Sequence, residues 1–413
     1  MSEAAPRESH TTCVVVGGGP AGLMFGFLLA RAGVGVTVLE KHGDFLRDFR
    51  GDTIHPSTLD LMNELGLLEE LLELPHTKVE QSGMNVGDRQ FHLVDFRHLP
   101  TRCGFMVMMP QWDFLNFIAE QAKHYPHFRL EMDTEATGLV EEGGRVTGVR
   151  AHRGGREMLF RGDLVVAADG RDSRIRHDDR LPVHRLGSAI DVLWWRQSKE
   201  TDAKPVLGYL RGGRLMLTID RGDYYQCGWI VPKGAFDRIK QRGLDAFRTD
   251  VARTVPVLAP TVGELTDWDQ IKLLSVQVNR LKQWYRPGLL HIGDSAHAMS
   301  PAGGVGVNYA IQDAVAAANR LAPRLRDGGV TLDDLRWVQK RRAWPVAIMQ
   351  AIQVRQAKTL ARISESGGEH GDPVRGLAAV SMFAPLKRTF GRLVGLGFRP
   401  EHIRTPELPP KRP

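Results

Sequence analysis

Val14-Val15-Val16, followed by Gly17-Gly18-Gly19-Pro20-Ala21-Gly22, restricts the fold of this chain more than any other stretch. Three consecutive β-branched residues suit a strand buried on both faces of a parallel sheet. Gly17-x-Gly19-x-x-Gly22 then supplies a tight turn, room for a pyrophosphate and close helix-to-strand packing. The following segment, Leu23 and Phe25 to Leu29 with Ala30, suits a helix whose N-terminus offers free N–H groups to phosphate. A second strand, predicted over Val34 to Leu39, ends at Glu40, eighteen residues past Gly22, and the unit runs to about Lys41. An acid at that distance accepts the hydroxyls of an adenosine ribose. Strand, glycines, helix and acid stand in the right order, so a dinucleotide-like ligand is expected here.

The chain of 413 residues is long enough for two or three structural units with ample core. Its 42% hydrophobic and 25% charged content is that of an ordinary soluble globular protein. Cys13, Cys103 and Cys227 are few, odd in number and without metal spacing, which fits a reducing cytoplasm. No apolar run of membrane-spanning length occurs, and residues 1–10 read as a polar leader rather than a signal peptide. The net charge of +7 is unevenly placed, because fifteen Lys/Arg face five Asp/Glu from Arg336 onward. That basic stretch also holds Trp337, Trp344, Phe383, Phe390 and Phe398. It reads either as helices packed on the main body or as a peripheral contact with an anionic membrane surface. Nucleic acid is not expected, since no binding motif accompanies the charge.

Apolar strands at Asp163 to Ala168 and Gly288 to Ile292 return the chain to the first sheet. Helices are expected from Pro56 to Leu68, Asp113 to Tyr125, Gly234 to Val255 and Gly306 to Leu325. Between these lie short alternating segments in 75–100 and strands rich in aromatics from Leu181 to Arg280. The expected architecture is α/β and discontinuous: 1–74, 101–180 and 281–330 build a Rossmann-like nucleotide domain. Segments 75–100 and 181–280 build an inserted mixed β-sheet domain for substrate, and 331–413 a C-terminal helical region.

Two more glycine-bearing turns close those returning strands. One is Asp169-Gly170-Arg171-Asp172-Ser173-Arg174-Ile175-Arg176. The other is Gly293-Asp294, continued by Pro301, Gly303, Gly304, Gly306, Val307, Asn308 and Asp313. Both lie at carboxyl ends of apolar strands, where open α/β sheets bind ligands. In these three motifs the chain resembles the flavoprotein aromatic hydroxylases, the p-hydroxybenzoate hydroxylase-like family that includes the ubiquinone-pathway monooxygenases. The resemblance covers most of residues 12–325 and implies bound FAD. The first motif with Glu40 would hold the ADP moiety, Asp169 and Gly170 would lie near the pyrophosphate, and Gly293 onward would hold ribitol and flavin. Arg50 matches an arginine the family places beside the cofactor, and Gln111 a position that contacts FAD. The family's chemistry takes electrons from NADH or NADPH, adds O₂ to give a flavin C4a-hydroperoxide, and passes one oxygen to an electron-rich substrate. Pro301, Gly303, Gly304 and Arg50 are the expected catalytic surroundings.

For the substrate, Trp195, Tyr224, Tyr225 and Trp229 on the insert strands are the candidates, with Trp194 beside them; aromatic walls suit a planar compound. An aromatic, quinone-like or polycyclic small molecule is expected. No metal is expected, because His124 and His127 lack acidic or cysteine partners. Two other functions stay open. Tyr225-Gln-Cys-Gly-Trp229-Ile-Val-Pro232 partly resembles the aromatic motif of FAD reductases acting on isoprenoid-type substrates. The same fold also serves non-catalytic carriers of the GDP-dissociation-inhibitor type.

Overall fold

The computed structural model describes residues 7–46, 53–179, 181–200, 207–366 and 380–408. Strand Cys13–Val16 lies inside a six-stranded sheet, parallel to Val36–Leu39 on one side and Leu164–Ala167 on the other. Phe128–Glu131 and Leu289–His291 extend the two flanks in parallel, and Tyr285–Arg286 closes one edge antiparallel. Every residue of the three central strands is buried. The alternation explains why they are apolar throughout. Cys13 and Val15 face helices Pro20–Arg31 and Gly306–Arg326, whereas Val14 and Val16 face a second layer. That layer pairs strands Thr134–Glu142, Arg145–Arg153 and Arg156–Arg161 antiparallel. The stretch expected as a polar leader contributes here too, since Arg7–His10 pairs parallel with Met158–Arg161.

A separate seven-stranded sheet runs in the order 272–274, 190–198, 224–232, 214–220, 208–211, 81–86 and 89–95. Gln81–Val86 joins Gly208–Arg211 in parallel, so two distant segments of chain share one sheet. The remaining pairings in this sheet are antiparallel. Helix formation predicted over 234–255 breaks at Gly243, whose φ of +87° is left-handed, giving Phe236–Gln241 and Leu244–Thr254. The predicted helix from Pro56 likewise stops at Glu64, and Leu68–Leu71 forms a separate turn.

After Gly306–Arg326 come helix Leu332–Ser366 and helix Ala384–Gly395. Residues 396–408 then run as an irregular strap held by specific hydrogen bonds. Glu401 N donates to Gln312 Oε1 (2.5 Å), Arg404 N to Asn319 Oδ1 (2.8 Å), and Leu408 N to Arg31 O (2.9 Å). The strap therefore ties helix 306–326 to the end of helix 20–31. The fold is a Rossmann-like α/β unit carrying an inserted mixed β-sheet, as the motifs imply.

Candidate functional site

Four loops leave the carboxyl ends of the parallel strands side by side: after Val16, after Leu39, after Ala167 and after His291. They meet at one cavity of about 1430 Å³. Gly17, at φ +106°, has no room for a side chain, because a Cβ there would sit 2.5 Å from Ala168 O. A Cβ on Gly22 would sit 1.9 Å from Gly17 O. Gly19 differs: none of the described residues lies within 4 Å of its would-be Cβ, and it lines the cavity. The outer glycines are required by packing, and the middle one keeps space for something else.

Glu40 lies at the cavity wall, its Oε2 accepting from Gly18 N (2.9 Å) and its Oε1 from His42 N (3.1 Å). Lys41, exposed, lines the cavity next to it. In the second loop Asp169 Oδ2 accepts from Ile175 N (3.2 Å), and Arg171 faces Asp294 at 3.7 Å. Asp169 Oδ1 and Arg171 Nη1 are buried with no hydrogen-bond partner among the described residues. Buried polar groups ordinarily find partners. A hydroxyl-bearing and anionic ligand would satisfy one acceptor and one donor here, as the ribose and pyrophosphate of FAD do.

The third loop is anchored from behind. Asp313 Oδ2 accepts from Gly293 N (3.1 Å) and from the ring of His297 (2.5 Å), and its Oδ1 accepts from Arg342 Nε (3.0 Å). Burial alone would raise Asp313, but His297 and Arg342 hold its carboxyl below the usual range. Gly304 N donates back to Pro301 O (2.9 Å), and Thr53 Oγ1 donates to Gly304 O (2.8 Å). Gly306 and Val307 open helix 306–326 at the cavity wall, and the N–H groups of a helix's first turn have no intrahelical acceptors. The second and third loops are also tied together, through His291 Nδ1 to Ser295 Oγ (2.8 Å) and Ser295 Oγ to Ser173 Oγ (3.1 Å).

Pro20, Ala21, Gln111, Gly170, Pro301 and Gly303 line the same cavity. Asn308 does not. Its Oδ1 accepts from His55 N (2.9 Å) and Thr58 Oγ1 (2.7 Å), so its side chain pins segment 53–58 instead of facing a cofactor. Arg50 lies outside the described residues. His55 is a buried neighbour that sequence reasoning missed. Its Nδ1 bonds Val394 O at 2.7 Å, and burial pushes it down to about 4. A histidine two residues past Thr53 carries no sequence signal for this.

The substrate candidates require correction. Trp195, Tyr225 and Trp229 point to the far face of the insert sheet, into a core with Phe247 beneath helix 244–254. Tyr224 lies under the Arg196 guanidinium at 3.9 Å and does not line the cavity. Trp194 lines it, with Val192, Leu217 and Ile230. Adjacent residues of a strand face opposite ways, and only the register decides which of two tryptophans faces in. Sequence reasoning also missed the third wall, Ile352, Arg355, Gln356, Thr359 and Leu360 of helix 332–366. Their spacing of three and four was the available signal.

The glycine loops thus open directly onto a wall of apolar side chains within one cavity, an arrangement with room for a dinucleotide and a second, apolar molecule. A family model described as an FAD binding domain matches residues 10–351. The 6-methylpretetramide 4-monooxygenase of Streptomyces rimosus is 33% identical over 403 residues, covering 96% of this chain and 95% of that one. Among solved structures, p-nitrophenol 4-monooxygenase PnpA from Pseudomonas putida DLL-E4 superposes with a TM-score of 0.76 at 19% identity, covering 94% of this chain and 99% of its own. OxyS anhydrotetracycline hydroxylase from Streptomyces rimosus superposes with a TM-score of 0.74 at 19% identity, covering 94% and 76%. The chain belongs to the FAD-dependent aromatic hydroxylases and is a flavoprotein monooxygenase. The isoprenoid reductase and the carrier are thereby set aside. No described helix is long and apolar enough to cross a membrane.

Proposed function

We propose that this is a single-component enzyme that uses NADH or NADPH and O₂ to hydroxylate a planar polycyclic aromatic or quinone-like small molecule. The observation carrying this reading is the continuity of one cavity from Gly19 and Glu40 to Trp194 and Leu217. Such a volume exceeds the few hundred to about 1,000 Å³ of ordinary ligand sites, as a site holding a dinucleotide and a second molecule would. Segments 1–74, 101–180 and 281–330 would bind FAD, and 75–100 with 181–280 would cover the substrate.

FAD, when bound, supplies the redox chemistry that activates O₂ with electrons from the nicotinamide. The protein's part follows from its residues. Gly19, Pro20 and Ala21, at the turn opened by Gly17 and packed from behind by Gly22, would approach the diphosphate, with Glu40 accepting from ribose hydroxyls and Lys41 beside it. Asp169, Gly170 and Asp294 would hold the middle of the cofactor, Gly293 being the buried turn residue that Asp313 anchors behind them. Pro301, Gly303, Gly304, Gly306 and Val307 would border the flavin, where N–H groups at the start of helix 306–326 stabilise negative charge. The apolar insert wall would exclude water from the reacting centre.

An absorbance spectrum of the purified protein, then NAD(P)H oxidation under air with phenols, quinones and anthraquinones, tests the reading. Flavin bands and turnover accelerated by one compound support it; a colourless protein that cannot be loaded with FAD overturns it. The three thiols are buried and free, in accord with a cytoplasmic setting. Met382, Phe383, Leu386 and Phe390 are exposed beside Lys387, Arg388 and Arg392, which supports peripheral contact with an anionic lipid surface. Co-sedimentation with phosphatidylserine vesicles, lost in Phe383→Ser, checks that contact; equal sedimentation of both would refute it.

A further inference from the structure

Four thioethers line the cavity, those of Met84, Met106, Met108 and Met299, and among the described residues no thiol does. Two of them adjoin the proposed flavin loop. Met108 pairs across strands with Thr53, whose Oγ1 donates to Gly304 O at 2.8 Å. Met299 stands two positions before Pro301, where that loop begins. Met108 is 8% exposed and Met299 3%, so a small reagent reaches both sulfurs by way of the cavity.

Other methionines sit in contrasting places. Met109 follows Met108 directly, yet the alternation of an extended chain turns it away, into the core with Val107 and Phe114, where it is fully buried. Met24 and Met62 are sealed in that core as well. Met382, on the outer surface, is 81% exposed. One chain thus carries methionines that face the cavity, methionines that face only protein, and Met382 facing bulk solvent.

A thioether is polarisable and electron-rich, and hydrogen peroxide oxidises it to the sulfoxide. Peroxide has a source here. When a flavoprotein monooxygenase passes the two electrons of NAD(P)H to O₂ without transferring oxygen to a substrate, hydrogen peroxide is the product. We infer that Met108 and Met299 are oxidation sites of this enzyme: in such futile turnovers, peroxide formed in the cavity converts them to methionine sulfoxide before it escapes. This rests on the functional reading above. The sulfur lone pair takes one peroxide oxygen as the O–O bond breaks, and the other oxygen leaves as hydroxide. The proton shed by the transferred oxygen turns that hydroxide into water. Sulfur is oxidised by two electrons and the peroxide is reduced by two. The wall beside the flavin loop thereby gains a polar S=O group where it was apolar, so futile turnover damages the substrate site itself.

The FAD-loaded enzyme is left to oxidise NADH or NADPH under air with no aromatic compound, until many equivalents of nicotinamide have been consumed. Catalase is present in one sample and absent from another. Peptide mass spectrometry then locates the added oxygen at each methionine. Catalase is too large to enter the cavity, so it removes only peroxide that has escaped. With catalase, Met108 and Met299 should carry at least about 5-fold more sulfoxide than Met109, Met24 or Met62, and Met382 should be spared. Peroxide added from outside, without nicotinamide, should reverse the order and oxidise Met382 first. The inference is overturned if catalase protects Met108 and Met299 as completely as Met382. Equal oxidation of Met108 and Met109, or intact Met108 and Met299 after extended turnover, overturns it too. The functional reading fails separately: a protein that binds no FAD, or that oxidises neither NADH nor NADPH under air, refutes it and removes the peroxide source as well.

Discussion

Arg342 Nε donates to Asp313 Oδ1 at 3.0 Å, and both side chains are fully buried. Asp313 stands on the helix that begins at the proposed flavin loop, and Arg342 on the following helix, which carries the cavity's third wall. The pair also reaches the C-terminal strap, through Arg342 Nη1 to Arg399 O (3.2 Å) and Glu401 Oε1 (3.5 Å). One buried ion pair thus joins the Gly293 turn, the substrate-side helix and the tail. Asp313→Ala leaves Arg342 buried without its carboxylate. It should lower stability to urea by roughly 3–5 kcal/mol and weaken FAD binding, since Gly293 N loses its acceptor too. A variant within about 1 kcal/mol of wild type would show that the pair is not an anchor.

Gly22 and Gly19 belong to one motif and should respond differently to a methyl group. At Gly22 the added Cβ meets Gly17 O at 1.9 Å, so Gly22→Ala should destabilise even the apoprotein, by roughly 3 kcal/mol or more. At Gly19 the protein offers no clash, so Gly19→Ala should leave the apoprotein within about 0.5 kcal/mol of wild type. FAD affinity should still fall, by about 10-fold or more, because the methyl occupies space kept for the ligand. Titration of both apoproteins with FAD, beside their melting curves, separates the two roles. Equal losses of stability would contradict the distinction.

His55 gives the protein a defined acid sensitivity. Burial depresses it from 6.5 to about 4. Above pH 6.5 it is neutral in both folded and unfolded chains and adds no pH dependence. Between 6.5 and 4 the unfolded chain takes up a proton that the folded chain refuses. Folded stability therefore falls as the pH drops, by roughly 2 kcal/mol at pH 5 from this group. In His55→Asn that portion of the loss should vanish. The measurement is the change in urea stability between pH 7.5 and pH 5 in both proteins, and an identical change in each would reject the assignment.

The adjacent tryptophans of the insert sheet provide a direct contrast. Trp195 is fully buried, its ring centroid 5.4 Å from that of Phe247. Trp195→Ala should cost roughly 3–5 kcal/mol of stability. Trp194→Ala opens the cavity wall, so its main effect should be on substrate KM and on the fraction of NAD(P)H oxidation that yields product. Comparing thermal unfolding with product formed per NAD(P)H for the two variants decides this. A purely structural effect of Trp194→Ala would argue against a substrate-facing role.

Much of the nucleotide half was legible in the chain because its constraints are local. A buried parallel strand must be apolar on both faces, a turn under a pyrophosphate must be glycine, and the acid must end the next strand; all of this falls within residues 14–40. Glu40 at the cavity wall beside Gly18 N is a short-range consequence of that unit. The two returning strands were readable for the same reason, as apolar runs ending in Asp-Gly and Gly-Asp turns. Asn308 misled because a polar residue at a helix start has several possible partners within reach. Here the chain from 53 to 58 supplies them.

By itself, then, the sequence determined the βαβ unit, the three cavity-lining turns and the family they mark, since each depends on residues a few positions apart. Tertiary structure alone decided which side chains of the insert sheet face the cavity. Moving one residue along a strand turns a side chain to the opposite face. The register Trp194↔Gly228 and Trp195↔Cys227 pairs residues 34 and 32 positions apart in the chain. The third wall, Ile352 to Leu360, became visible only when helix 332–366 was laid across that sheet. The buried ion pairs that hold the helix there join residues 29 and more positions distant, and no local pattern specifies such contacts.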